Sequence, residues 1–364
     1  MGNFSSFKQN LMFYLSRRIN KPLVKPDYFM ISLTDECNLR CKMCGCSQTA
    51  QKYKGREMTT HEIKDLINQM AQWANSAEVT FSGGEPFVRK DILELVEYVT
   101  SKHLMLSINT NGALITREIA DKLTSYPVFH LNFSLDGDSA EINDSIRGKG
   151  SFSKVLQGIE LLNEAKATHK SNYPIISLNF TIMKQNIKGL ANIIPLAKRY
   201  KVQNVFFQPV ITDNTDYQKV NEYICLEKIE LDMLINILKG IGLQAKENKI
   251  HTEIPSLVLL REYFSAKTSD VSQRQWECFV GYNRISISSF GQVCSCFKEN
   301  FGEIRNSSLK EIWYSPAASR IRKEFKQCKK FCLQTCYARP DSESLYKVIK
   351  ALFKKDNKCG ILVS

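Results

Sequence analysis

Apolar residues recur along this chain with two periods, and the two alternate. Short runs at Tyr28–Leu33, Glu78–Ser82, Met105–Asn109, His130–Leu135, Ile175–Met183 and Asn204–Pro209 predict strands. Between them, apolar positions three and four apart predict helices over Thr59–Asn75, Asp91–Lys102, Thr116–Ser125, Ser151–His169 and Ile187–Tyr200. Thr59 and Glu62 form a capping box ahead of Ile63, Leu66, Ile67 and Met70, which fixes where one helix starts. Strands alternating with helices imply an α/β fold with a parallel sheet and right-handed crossovers, open or curled into a barrel. Chemistry in such folds gathers at the C-terminal ends of the strands.

Outside this repeat the pattern changes. Residues 226–265 read as helical, and residues 265–275 turn to Ser, Thr, Lys, Asp and Gln, as a linker would. The expected organisation is a basic amphipathic segment over 1–27, a core over 28–215 and a helical connection with linker over 216–275. A small cysteine-rich domain over 276–340 and a basic amphipathic tail over 341–364 follow. The first segment carries a stripe of Phe4, Phe7, Leu11, Tyr14 and Leu15. The tail carries Leu345, Val348, Ile349, Leu352 and Phe353. Such stripes either lie on an anionic membrane surface or dock onto the body of the protein, and docking is the commoner outcome. No run approaches the about 18 apolar residues of a membrane span, and no secretory signal is present, so a cytoplasmic location is expected.

Composition sharpens this picture at two points. Lysine and arginine number 50 against 37 acidic residues, a net charge of +13. That balance suits acidic partners or simply a solvated basic surface. The twelve cysteines of this 364-residue chain are grouped, four between Cys37 and Cys46 and six between Cys278 and Cys336. Grouped cysteines without an export signal argue for metal or redox chemistry over a disulfide framework. The five histidines show no ligand spacing, and Trp276 and Trp313 read as packing residues.

Cys37, Cys41 and Cys44 fall in CNLRCKMC, directly after the first strand. Three thiolates there can hold a four-iron cluster with one iron lacking a protein ligand. Recruiting Cys46 as a fourth ligand would make a structural zinc site, so that alternative stays open. The spacing, with Met43 before the last cysteine, resembles the signature of the radical S-adenosylmethionine (SAM) superfamily. Ser82-Gly83-Gly84-Glu85-Pro86 resembles that family's GGEP element, and Thr110-Asn111-Gly112 and Ser134-Leu135-Asp136-Gly137 close the next two strands. The resemblance covers about residues 28–210. It implies a partial (β/α)6 barrel, with SAM held by Met43, Gly83, Gly84, Glu85, Asn111, Ser134, Asp136, Arg147 and Asn179. In it, the backbone and Glu85 of the GGEP element meet the methionine ammonium, and Arg147 meets the SAM carboxylate.

Cys278, Gly291 and Cys296, followed by GEIRNSSLKEIWYSP and CKKFCLQTC, resemble the SPASM or twitch extension of the same superfamily. The last cysteines, Cys328, Cys332 and Cys336, are spaced three and three, unlike a two-cluster extension. The expectation is one auxiliary [4Fe-4S] cluster on Cys278, Cys296, Cys332 and Cys336, with Cys294 and Cys328 as alternatives and zinc as the competing metal.

Together these resemblances imply an enzyme that cleaves SAM to a 5′-deoxyadenosyl radical and takes a hydrogen atom from substrate. The substrate would be a small molecule or carbohydrate that is oxidised, epimerised or cross-linked, or alternatively a peptide. The 27 residues before the first strand are too few for a leader-binding domain, which favours the small molecule. An acidic flavodoxin or ferredoxin would supply electrons, and peripheral membrane contact is a further expected partner. An iron–sulfur electron carrier or a zinc-stabilised nucleic-acid binder is the non-enzyme alternative. Nucleic acid is not expected, because the GGEP element would have no purpose there.

Overall fold

Along the first six strands one face is apolar, and the other turns polar towards the C-terminal ends, which positions the site. The structure, a computed structural model, describes residues 2–46, 50, 55–211, 225–265, 276–296, 300–327 and 338–340, without side chains for 2–10, 276–278 and 338–340. Helix α1 (Gly2–Ile19) comes first. Strands β1 (Tyr28–Thr34), β2 (Glu78–Gly83), β3 (Met105–Thr110), β4 (Val128–Ser134), β5 (Ile175–Ile182) and β6 (Asn204–Pro209) alternate with helices. These are α2 (Thr60–Trp73), α3 (Ile92–Ser101), α4 (Arg117–Ser125), α5 (Ala140–Arg147), α6 (Ser151–Thr168) and α7 (Ile193–Arg199). Then follow α8 (Lys228–Glu247), β7 (His251–Glu253) and α9 (Leu257–Ser265). The C-terminal module adds β8 (Trp276–Cys278), β9 (Arg284–Ile287), β10 (Gln292–Cys294), β11 (Asn300–Glu303), α10 (Leu309–Tyr314), α11 (Pro316–Lys326) and β12 (Ala338–Pro340).

Ten strands form one sheet in the order β11-β10-β9-β1-β2-β3-β4-β5-β6-β7, with β1 to β7 parallel. Phe29, Ile31, Leu33, Val79, Phe81, Leu106, Ile108, Leu131, Phe133, Leu178 and Phe180 are buried in the core. Their alternates, among them Ser32, Ser82, Asn109, Asn132, Ser134, Asn179 and Thr181, make the opposite face polar. A strand buried on both faces would be apolar throughout, so this alternation marks a sheet curling around a wet interior. The helices begin where capping chemistry dictates. Thr59 and Glu62 complete the capping box of α2, and Ser139 accepts from Ile142 N to start α5.

The structure adds three features to the sequence picture. The segment expected to be helical over 226–265 contains β7, which lengthens the sheet beyond β6. Helix α5 was not foreseen. The C-terminal module is not set apart from the core sheet, since β9 pairs in parallel with β1 through Met30 and Ser286, and β10 and β11 continue as antiparallel neighbours. An otherwise open edge of the barrel is thereby covered.

Of its described side chains, helix α1 buries Phe13, Ser16 and Arg17, half-buries Leu11 and Tyr14 of the expected stripe, and exposes Leu15 and Ile19. Its end docks on the C-terminal module. Asn20 Nδ2 donates to Ser319 O at 3.1 Å, Tyr282 Oη donates to Asn20 Oδ1 at 2.9 Å, and Lys326 Nζ donates to Arg18 O at 3.2 Å. The tail over 341–364 lies outside the described residues. Trp313 is fully buried, with Arg322 stacked 4.4 Å from its ring centroid. Among the described residues, no helix is long and apolar enough to cross a membrane.

Candidate functional site

The C-terminal ends of β2 to β6 surround a cavity of about 280 Å³. Cys37, Cys41 and Cys44 line it together with Met43, Gly83, Gly84, Asn111, Ser134, Arg147 and Asn179. The loop after β1 is held there from three sides. Gly84 N donates to Thr34 O at 2.7 Å and Glu85 N to Glu36 O at 2.9 Å, so the turn after β2 grips the start of the cysteine loop. A Cβ on Gly84 would stand 2.2 Å from Glu36 O, and one on Gly83 2.3 Å from Thr34 O. These glycines are therefore required by loop against turn, whatever else approaches them. On the second side, Asn111 Nδ2 donates to Asn38 Oδ1 at 2.8 Å and lies 3.8 Å from Cys37 Sγ. On the third, Lys42 N donates to Ile146 O at 2.9 Å, tying the loop to the last turn of α5.

Glu85 is placed differently from the expectation. It is fully buried and does not line the cavity. Its carboxylate accepts from Asn111 N at 2.7 Å, Thr110 Oγ1 at 2.8 Å and Phe87 N at 3.2 Å. Burial pushes this carboxyl above its ordinary range, opposed by the Asn111, Thr110 and Phe87 donors. The side chain thus fastens the turn after β2 to the turn after β3, which in turn presents Asn111 to the cysteine loop. Asp136 is likewise buried and off the cavity wall. Its Oδ2 lies 2.6 Å from Arg147 Nε, and its Oδ1 accepts from Thr181 N at 2.8 Å. Arg147, on the last turn of α5, reaches the cavity from this anchor.

The thiols differ in their surroundings. Burial raises Cys37, and burial pushes Cys41 up to about 11 despite the nearby Arg147 guanidinium. Cys44 is held below the usual thiol range, chiefly because the Cys46 thiol donates to it, and Cys46 is raised correspondingly. The donor set fits an iron–sulfur cluster: free thiols from one loop on one cavity wall, with a guanidinium opposite that suits a ligand carboxylate.

Ser82 and Thr110, which the sequence marked only as parts of the motifs, and Asn109, Thr181 and Gln208, which it did not single out, also line the cavity. The signal was the period of two. Asn109 precedes Asn111 by two residues at the end of β3, and Thr181 follows Asn179 by two on one face of β5.

Of the second cysteine group, Cys294 ends β10 and Cys296 follows half-buried against the core. Cys278 ends β8, where it opposes Ala338 across an antiparallel pair. Cys328, Cys332 and Cys336 lie outside the described residues. This module touches the first site, because Met58 N donates to Ser289 O at 2.7 Å, while Glu57 Oε1 accepts from Thr34 Oγ1 and Asp35 N.

The family model of the radical SAM superfamily matches residues 31–188, and that of the SPASM iron–sulfur cluster-binding domain matches residues 278–337. The Fe-coproporphyrin III synthase of Methanosarcina barkeri is 35% identical over 305 residues, which covers 78% of this chain and 72% of that one. The mycofactocin maturase MftC of Mycolicibacterium smegmatis is 35% identical over 186 residues, 51% of this chain and 45% of its own length. The present chain thus spans less than half of that relative. SuiB of Streptococcus suis, solved with S-adenosylmethionine, superposes with a TM-score of 0.64 at 17% identity, covering 86% of this chain and 75% of its own. SuiB solved with its precursor peptide SuiA gives the same score, covering 87% and 74%.

Proposed function

Because this chain belongs to the radical SAM superfamily, we propose that it cleaves SAM at the cavity above β1 to β6 and takes a hydrogen atom from a small molecule held there. It is an enzyme whose cofactors are SAM and [4Fe-4S] clusters. Cys37, Cys41 and Cys44 would hold the cluster, which when bound would supply the electron for breaking a carbon–sulfur bond of SAM. The observation carrying the proposal is the convergence of Cys37, Cys41 and Cys44 with Arg147 on one cavity. In this proposal Arg147 pairs with the SAM carboxylate, Asp136 orients Arg147, and Gly83 offers its carbonyl to the SAM ammonium. Asn111, Ser134 and Asn179 hydrogen-bond the nucleoside half, and Met43 closes the cavity floor. One auxiliary cluster on Cys278, Cys296, Cys332 and Cys336, or with Cys294 or Cys328, would take an electron from the substrate radical.

The small-molecule reading is supported by the synthase from Methanosarcina barkeri, a relative matched over most of both chains. A peptide substrate is the second reading, favoured by the mycofactocin maturase and by SuiB with SuiA. The basic surface suits an acidic flavodoxin or ferredoxin as reductant, in a reducing cytoplasm where these thiols persist. Exposed Leu15 and Ile19 beside Arg18 give any anionic lipid contact a place on α1. Deuterium transfer into 5′-deoxyadenosine from labelled candidates tests the substrate. Transfer from a small molecule supports the proposal, and transfer only from a peptide overturns its substrate half.

A further inference from the structure

Beside the three loop cysteines sits a fourth thiol that the signature does not include. Cys46 follows Cys44 after a single glycine. Cys46 Sγ also lies 3.9 Å from Gly83 O. Gly83 lines the cavity, and its carbonyl is the group assigned above to the SAM ammonium. The thiol therefore stands two residues from the last loop cysteine and against the carbonyl where the methionine end of SAM is expected.

Three thiolates leave one iron of a four-iron cluster without a protein ligand. A fourth thiol two residues after Cys44 and against Gly83 has the chemistry to fill that position. We propose that Cys46 caps the open iron while SAM is absent and is displaced when SAM binds. This inference rests on the assignment of the first site to the SAM cluster. On capping, the Cys46 thiol releases its proton to solvent and its sulfur replaces a water on iron. On SAM binding, the sulfur–iron bond breaks, the SAM amine and carboxylate take the iron, and the thiolate regains a proton. No electron moves. The cap shields an iron that is otherwise lost readily to oxidants, and SAM must compete with it. A cap present in about nine of ten molecules weakens apparent SAM binding about tenfold.

The test uses full-length protein reconstituted anaerobically with iron and sulfide, as wild type and as Cys46→Ala and Cys46→Ser. Brief ferricyanide treatment without SAM, followed by electron paramagnetic resonance, reads the three-iron cluster formed by loss of the open iron. The expected result is a several-fold larger three-iron signal in Cys46→Ala than in wild type, abolished by adding SAM. SAM should also bind Cys46→Ala about tenfold more tightly. Equal signals and equal affinities in all three proteins overturn the cap. Formation of 5′-deoxyadenosine by Cys46→Ala reports separately on the site. If it persists while the signals are equal, only the cap falls. If Cys46→Ala holds no iron at that site, all four cysteines are obligatory ligands and the open-iron assignment itself fails.

Discussion

Cys37, Cys41 and Cys44 reach one cavity from a single eight-residue loop, whereas Cys278 ends β8 and Cys294 and Cys296 lie at the end of β10, far apart in the C-terminal module's sequence. The first set is local in sequence, and its precision comes from outside the loop: the turn after β2, Asn111 after β3, and Ile146 on α5. The second depends on sheet pairing, in which Cys278 opposes Ala338, two residues past Cys336. A local ligand set can be broken by loosening its supports while the ligands stay in place. A dispersed set fails when the module loses its seat on β1. The predictions separate these two modes.

The largest effect is expected from Glu85→Ala. It leaves Asn111 N, Thr110 Oγ1 and Phe87 N without their buried acceptor, at a cost of about 3–5 kcal/mol. Denaturant melts should show that loss, and iron analysis should show the first site depleted while the auxiliary iron remains. A variant that keeps full stability and iron but binds SAM weakly would return Glu85 to the role of a direct contact. Asp136→Asn comes next. It removes the charge that holds Arg147 at 2.6 Å, so SAM affinity should fall about tenfold, or about 1.4 kcal/mol, with both clusters assembled. Equilibrium dialysis with labelled SAM measures it, and unchanged affinity refutes the positioning role.

The smallest effect concerns the seam between the regions. Arg305 pairs with Glu62 at the start of α2, donates to Phe290 O at 3.0 Å, and holds the Glu62 carboxyl down at about 2. A carboxylate lowered in the folded state is more protonated when unfolded. It therefore adds stability above its ordinary range near 4.5, and that stability is lost as pH falls towards 2. Arg305→Ala should cost about 0.5–1 kcal/mol at neutral pH, and the difference from wild type should vanish between pH 4.5 and 2. A difference that stays constant across that range would remove Glu62 from the account.

Much of this was legible in the sequence because it is periodic or local. The six strands from Tyr28 to Pro209 and the box of Thr59 with Glu62 follow from apolar period and capping chemistry. The cavity-lining cysteines follow from spacing on one loop. Helix α5 did not, because its eight residues bury only Asn143, Ile146 and Arg147, too few apolar positions to show a period. Strand β7 is three residues long between two helices, below what alternation can reveal. The pairing of β9 with β1 spans more than 250 residues of chain, and no local pattern encodes it. Glu85 and Asp136 were found as residues, but their partners Asn111 N and Thr181 N are backbone groups of other strands. Sequence can mark a carboxylate near a site without showing which way it turns.

The central claim is that the loop at Cys37, Cys41 and Cys44 holds the cluster that cleaves SAM, and that the C-terminal module holds iron independently. Protein with all three cysteines replaced by alanine should be reconstituted anaerobically, given SAM and dithionite, and assayed for 5′-deoxyadenosine alongside an iron count. The account predicts no 5′-deoxyadenosine above background and retention of about four irons per chain. A triple variant that still forms 5′-deoxyadenosine would contradict it.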